Sequence, residues 1–125
     1  MAAMTDNEIE IVTPPIEGDW IYSSQYNADV TGGEDLLAAV TGKSHYIRVI
    51  RATLTSATAT ISFGADQDVA GTGLAHTYIG PVTAYVQFIF DLANGKAMKL
   101  PVSHAFSVDG VTASPVWIFF EYKTI

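Results

Sequence analysis

Residues 46–63, YIRVIRATLTSATATISF, decide the fold, because apolar and small polar side chains alternate along most of this stretch. A period of two is the pattern of a β-strand that has one face against a core and the other against water. The second half of the stretch has one apolar face, made by Ala57, Ala59, Ile61 and Phe63. The closing run 116–122, VWIFFEY, is strand-like as well. The chain is therefore expected to be built from β-sheet.

The first half of the same stretch breaks the strict alternation. Ile47 and Val49 lie on one side of an ideal strand, whereas Ile50, Ala52 and Leu54 lie on the other. This change of side predicts a β-bulge or a strand that is buried on both faces. The two arginines of the stretch are expected to lay their stems on apolar surface, with the guanidinium groups at a rim.

Further runs with the same period predict the remaining strands. Residues 82–90 form a long strand in this interpretation, preceded by a turn at Gly80-Pro81, and Asp109-Gly110 predicts a hairpin turn. Phe88 and Phe120 are predicted core anchors. Seven to nine short strands in residues 18–125 predict an all-β, two-sheet antiparallel sandwich of jelly-roll or Greek-key type. A small closed barrel is the alternative.

Length and composition indicate one domain that is held together without covalent cross-links. A chain of 125 residues can bury a substantial core. It contains no cysteine, so neither a disulfide framework nor a thiolate zinc site is available. No window approaches the roughly 20 apolar residues that span a bilayer, and no export signal is visible. We therefore expect a soluble protein.

The net charge of −7 is concentrated in the first third of the chain. Residues 1–35 hold eight of the 13 acidic residues and no lysine or arginine. We interpret residues 1–17 as an extended acidic N-terminal arm and residues 18–125 as the sandwich domain. Pro14-Pro15 removes two backbone donors from the arm. The arm is expected to become ordered against a neighbouring subunit and not against its own core.

No catalytic, cofactor-binding or metal-binding constellation stands out from the sequence. His45, His76 and His104 have no metal-ligand spacing, and we expect them at the surface or at the rim of a sheet. Asp66 and Asp68 begin like a calcium loop, but the glycine and the glutamate of such a loop are not at suitable offsets. The sequence thus predicts a protein that is not an enzyme and uses no cofactor or metal.

The order of features from residue 19 onward resembles that of small structural proteins of tailed bacteriophages. Such proteins begin with an aromatic pair like Trp20-Ile21-Tyr22. A small-residue segment, a glycine-lysine turn and a long strand follow, like 37–40, Gly42-Lys43 and 47–54. A Gly-Pro corner like Gly80-Pro81 and an aromatic terminal strand like 119–122 complete the order. Proteins of this kind are jelly-roll or related sandwiches that decorate capsids or sit in tail and fibre assemblies.

The resemblance implies a virion structural protein, a decoration or cement protein of the capsid surface that binds and stabilises the major capsid protein lattice. A homo-oligomer, a trimer, is expected, because the terminal strand is apolar on both faces. No nucleic-acid or membrane partner is expected, since six scattered basic residues offer no footprint for phosphates. A carbohydrate- or receptor-binding sandwich of a phage tail or fibre is the alternative. The expected interface residues are Glu8, Ile9, Glu10, Ile11, Val12, Trp20, Tyr22, Trp117 and Phe119.

Overall fold

Ten β-strands and no helix make up the described part of the computed structural model, which covers residues 9–29, 31, 33–55, 59–66, 74–82, 87–91, 95–110 and 115–125. The strands are β1 (Glu10–Val12), β2 (Ile21–Asn27), β3 (Glu34–Leu37), β4 (His45–Leu54), β5 (Ala59–Ala65), β6 (Leu74–Val82), β7 (Gln87–Asp91), β8 (Ala97–Lys99), β9 (Phe106–Gly110) and β10 (Val116–Thr124). Within these residues no helix is long and apolar enough to cross a membrane.

The strands form two antiparallel sheets. The larger sheet has the order β1-β8-β4-β10-β2, with β7 also beside β4, and the smaller sheet has the order β3-β9-β5-β6. The pairing is nested: β2 pairs with β10, β3 with β9, β4 with β7 and β8, and β5 with β6. A long hairpin wound into two layers in this way is a jelly roll. The predicted two-sheet sandwich is confirmed.

The core lies between the two sheets and contains a chain of phenylalanine rings. The Phe63 and Phe106 rings of the smaller sheet are 6.0 Å apart, and the Phe106 ring is 5.1 Å from that of Phe120 in the larger sheet. All three side chains are fully buried, as predicted for Phe120. The side chain of Phe88 lies outside the described residues. These aromatic contacts bring large apolar areas together across the two layers.

A β-bulge on β4 explains the broken alternation in the sequence. The register between β4 and β10 shifts between Glu121 and Tyr122, and Arg48 is the extra residue on β4. The bulge allows Ile47 and Ile50, three positions apart, to reach the core together, and they are 1% and 0% exposed. The predicted bulge is thereby confirmed. The bulge also turns the Arg48 side chain away from the core.

The N-terminal arm packs on its own sandwich. Residues Glu10–Val12 form β1 and pair with β8, and Ile9 belongs to the core cluster. The prediction that the arm is ordered against a neighbour and not against its own core is therefore wrong for these residues. The reason is that β8 needs a partner for its second edge, and the alternating segment of the arm supplies it. Residues 1–8 lie outside the described residues.

The residues of two predicted turns are paired within strands. Gly80 and Pro81 belong to β6, and the ladder with β5 passes over Gly80 as a bulge. β6 is an edge strand of the smaller sheet, which is where a sheet tolerates proline. Asp109 and Gly110 belong to β9 and pair with β5. The run 82–90 is divided between β6 in the smaller sheet and β7 in the larger. Pairing between distant strands thus overrides these local turn signals.

Candidate functional site

Four aromatic side chains share the outer face of the larger sheet where β2 and β10 lie side by side. They are Tyr22, Tyr26, Trp117 and Phe119, and we call them the aromatic face. Alternation puts residues two or four positions apart on the same side of a strand. Trp117 lies directly opposite Tyr26, and Phe119 lies opposite Ser24. Their neighbours Ile118 and Phe120 point into the core, so the aromatic face is directed away from it.

The rings of the aromatic face are arranged in two contacting pairs. Tyr22 stacks on Phe119 with centroids 6.2 Å apart, and Tyr26 packs at 51° against Trp117 with centroids 5.0 Å apart. Tyr22, Tyr26 and Trp117 remain 55%, 50% and 44% exposed. Rings that already support one another lose little rotamer freedom when a partner covers them. Tyrosine and tryptophan in such positions are the residues that most often dominate binding energy at interfaces.

The same face extends across the sheet beyond the aromatic pairs. Arg51 of β4 lies opposite Phe119, and Ile89 of β7 lies opposite Arg51. Both Arg51 and Ile89 are exposed. A surface that combines exposed aromatic rings, an isoleucine and one arginine has the composition of a protein contact, because arginine and aromatic residues are enriched at interface centres.

Trp20 contacts two cationic side chains, beside the part of the larger sheet where Glu121 lies opposite Tyr22. The Arg48 guanidinium carbon lies 4.2 Å from the centroid of the Trp20 ring, and Lys123 Nζ lies 4.7 Å from it. Arg48 Nε also donates a 2.5 Å hydrogen bond to Glu121 Oε2. A cation over an indole face is an attractive electrostatic contact. The half-buried Trp20 ring is therefore engaged by its own chain.

Lys123 connects the last strand to the end of the arm. The side chain is buried, at 5% exposure, and its ammonium group meets three backbone carbonyl oxygens. Lys123 Nζ donates to Pro15 O at 2.8 Å, to Glu17 O at 3.1 Å and to Gly18 O at 3.3 Å. Each of the three N–H donors of the ammonium group therefore has an acceptor. The described part of the arm is thus held in two places, by β1 pairing and by Lys123.

His45 is buried, so the prediction of a surface or rim position is wrong for this residue. Its Nε2 donates to Ala38 O at 2.8 Å, because a carbonyl oxygen can only accept, and Nδ1 then accepts from Thr124 Oγ1 at 2.7 Å. Loss of water around the ring lowers the pKa of His45 from its usual value near 6.5, and the bond to the Ala38 carbonyl opposes this only in part. The neutral His45 ring thus joins Ala38, in the chain before β4, to Thr124 at the end of β10 through hydrogen bonds.

Stability is expected to fall when the pH drops below about 6.5, because of His45. The unfolded chain takes up a proton at His45 near the usual pKa, whereas the folded chain resists it, so the unfolded state binds more protons in this window. Urea unfolding at about pH 7.5 and about pH 5.5 should show a smaller loss of stability for His45→Gln than for wild type. The same pH slope in both proteins would contradict a contribution from His45.

The other acidic and histidine side chains do not form a metal centre in the described residues. Asp66 Oδ1 accepts a hydrogen bond of 2.9 Å from the backbone N–H of Ala105, and Asp66 Oδ2 lies 3.5 Å from His104 Nε2. These contacts hold the chain after β5 against the chain before β9. The described residues contain no group of three potential metal ligands. Asp68 and the His76 side chain lie outside the described residues.

The structure separates the predicted interface residues into three places. Tyr22, Trp117 and Phe119 meet on the aromatic face, while Trp20 contacts the two cationic side chains. Within the arm, Ile11 is 46% exposed, Glu10 and Val12 are half-buried in β1, Ile9 is buried, and Glu8 lies outside the described residues. Because β1 and β2 are opposite edges of the larger sheet, the arm and the aromatic face are distant in strand order.

Two residues of this region were not among the expected interface residues. Tyr26 belongs to the aromatic face, where its even spacing from Tyr22 along one strand also predicts it. Lys123 had no local signal, because its three acceptors lie more than 100 positions earlier in the chain.

Comparisons with known proteins add no functional information. No protein-family profile matches the chain, and no curated protein matches it. One similar solved structure is described as "Bacillus endospore appendages form a novel family of disulfide-linked pili". It is 13% identical to this chain and has a TM-score of 0.39, over 98% of this chain and 96% of that one. A likeness at this TM-score carries no argument.

Proposed function

We propose that this chain is a structural protein of a virus particle, a capsid decoration or cement protein that binds the major capsid protein lattice at the capsid surface. The observation that carries the proposal is the aromatic face, in which three rings about half-exposed to water are supported on a jelly-roll sheet. The resemblance of the sequence to small phage structural proteins points in the same direction. The trimer expected from the sequence is not tested by these observations and is an alternative to the twofold dimer argued below.

The mechanism follows from the position of the aromatic face. Covering exposed aromatic rings removes apolar area from water, which favours binding by roughly 25 cal/mol for each Å². The rings lie on two neighbouring strands of a sheet whose other side is the core, so little ordering is required when the partner binds. On a lattice with many identical sites, weak contacts are made strong when several are occupied together. The arm is not needed as an added strand, because β1 already pairs with β8.

Binding to particles is expected to depend on Trp117. Replacing Trp117 with alanine removes the largest exposed ring and should weaken binding at least about tenfold, the effect expected for one interface hot spot. The measurement is co-sedimentation of the purified protein with purified capsids from which the native protein has been stripped. Ile11→Ala, an exposed apolar residue on the opposite edge strand, is the matched control and should bind like wild type. Equal binding of both variants would refute the role of the aromatic face.

A carbohydrate-binding module is the second candidate, and the Tyr26–Trp117 pair favours it. Two half-exposed rings that meet at 51° form an angled surface on which a sugar ring could stack. Titration of purified glycans, with Trp117 fluorescence as the signal, separates the two functions. Saturable binding of a free glycan without capsid binding would favour a carbohydrate-binding module over capsid decoration. Capsid binding that no free glycan inhibits would favour decoration.

A further inference from the structure

Edge strands of sheets expose unpaired backbone groups, and proteins usually protect them against pairing with other chains. Most edges of this sandwich carry such protection. β1 has only three residues, β3 carries Glu34 and Asp35, β6 contains Pro81 and two register shifts, and β7 includes Asp91. Short length, charge, proline and bulges all hinder the addition of a further strand.

β2 is the edge strand that has none of these features. It has seven residues, IYSSQYN, and contains no charged residue and no proline. Its register with β10 is continuous from Asn27 to Ile21 without a shift. Among the described residues, no backbone group pairs with the second edge of β2. A long, regular and uncharged free edge is suited to β-strand addition.

We propose that β2 pairs with β2 of a second copy of this chain, antiparallel, about a twofold axis at Ser24. The register centred on Ser24 is the one in which all seven residues of β2 find a partner. Such an interface is isologous, because the same strand is used on both sides. The larger sheets of the two copies then continue into each other. This inference does not rest on the proposed function, since it is argued from the free edge of β2.

The side chains of β2 match a second copy in this register. Tyr22 of one copy lies opposite Tyr26 of the other on the outer face, at the Cβ separation of about 4.5–5.5 Å that directly opposed residues have. Ser23 lies opposite Gln25 on the inner side, so no charged side chains oppose each other within the strands. Since Tyr22 stacks on Phe119 in each copy, the cross-strand tyrosine pairs join two aromatic faces into one band.

Charges just outside β2 predict how salt acts on this dimer. Asp19 precedes the strand and Asp29 follows it, and both are exposed. The twofold axis directs Asp19 of one copy towards Asp29 of the other, at both ends of the paired strands. Repulsion between these carboxylates weakens with ionic strength. We therefore expect association to become stronger, by roughly two- to fivefold, between low and physiological salt.

The first experiment uses the absence of cysteine from the chain. Ser24→Cys introduces a single thiol at the twofold axis, where the Cβ separation of opposed residues is close to that of a disulfide. Under mild oxidation this variant should form a covalent dimer at least about tenfold faster than Ala39→Cys, whose site is exposed but lies outside β2. Equal rates for the two variants would overturn the proposal.

The second experiment tests whether Ser24 of one copy lies opposite Ser24 of the other. Ser24 is exposed, so Ser24→Glu and Ser24→Lys should fold like wild type, as circular dichroism can verify. Light scattering and native mass spectrometry at high micromolar concentration should show a dimer for wild type and monomers for each variant. A mixture of the two variants should form the heterodimer, because opposite charges then meet at the axis.

Each other result has a defined meaning. A wild-type monomer, a trimer, or charge variants that associate like wild type would overturn twofold β2 pairing. Strand addition by a capsid protein in place of a second copy would also overturn it, and would appear as particle binding that Ser24→Glu abolishes in a monomeric wild-type protein. Failure of the decoration function is distinguishable, since it is measured by the effect of Trp117→Ala on capsid binding.

Discussion

Replacing Phe120 with alanine is expected to lower the free energy of unfolding by about 3–5 kcal/mol, the largest single effect expected for this protein. Phe120 is fully buried in β10, the strand between β4 and β2. Its ring contacts Phe106 at 5.1 Å and Tyr122 at 5.6 Å, so truncation leaves a cavity between the two sheets. Since domains are stable by only about 5–15 kcal/mol, a large share of the total would be lost.

Phe119→Ala is the matched control, because it removes the same side chain from the neighbouring position. Phe119 is half-buried on the aromatic face. Its truncation should lower the free energy of unfolding by about 1 kcal/mol, mainly because the contact with Tyr22 is lost. Urea unfolding followed by circular dichroism measures both variants. Similar losses for the two variants would mean that the face assignment of β10 is wrong.

Replacing Lys123 with methionine is expected to lower the free energy of unfolding by about 2–3 kcal/mol. Methionine preserves most of the buried apolar stem but removes the ammonium group that binds Pro15, Glu17 and Gly18. One of the two cations above the Trp20 ring is lost as well, while Arg48 remains. The end of the arm should then detach while the sandwich stays folded, so amides of residues 15–18 should exchange hydrogen faster.

Lys43→Met is the control for the Lys123 prediction. Lys43 is exposed in the turn before β4, and its replacement should change stability by less than about 0.5 kcal/mol. If Lys123→Met kept both the stability and the amide protection of wild type, the carbonyl contacts of Lys123 would contribute nothing measurable. That result would also weaken the conclusion that the arm belongs to the folded domain.

Strand content and the inward faces of several strands could be predicted from the sequence. Alternation of period two depends on local geometry, so the buried positions of Ile61, Phe63 and Phe120 follow from residues that are neighbours in the chain. The bulge at Arg48 was detectable for the same reason, since one extra residue reverses the phase of the pattern.

The candidate site was predictable in part. Tyr22, Trp117 and Phe119 were recognised as aromatic residues on strand faces, because that information is local. Their meeting on one surface depends on the pairing of β2 with β10, which are separated by most of the chain. The predicted contribution of Trp20 was an interface contact, yet its ring is engaged by Arg48 and Lys123. These partners come from two other strands, so no nearby residue could indicate them.

The sequence by itself determined that the chain is all-β and which residues alternate, since both depend on the backbone geometry of a few consecutive residues. The tertiary structure alone decided which strand pairs with which, and therefore where each surface lies. Turn signals at Gly80-Pro81 and Asp109-Gly110 gave way because β6 and β9 gain a full ladder with β5. The arm joined the sandwich because β8 and Lys123 offer it partners that are close in space but distant in sequence.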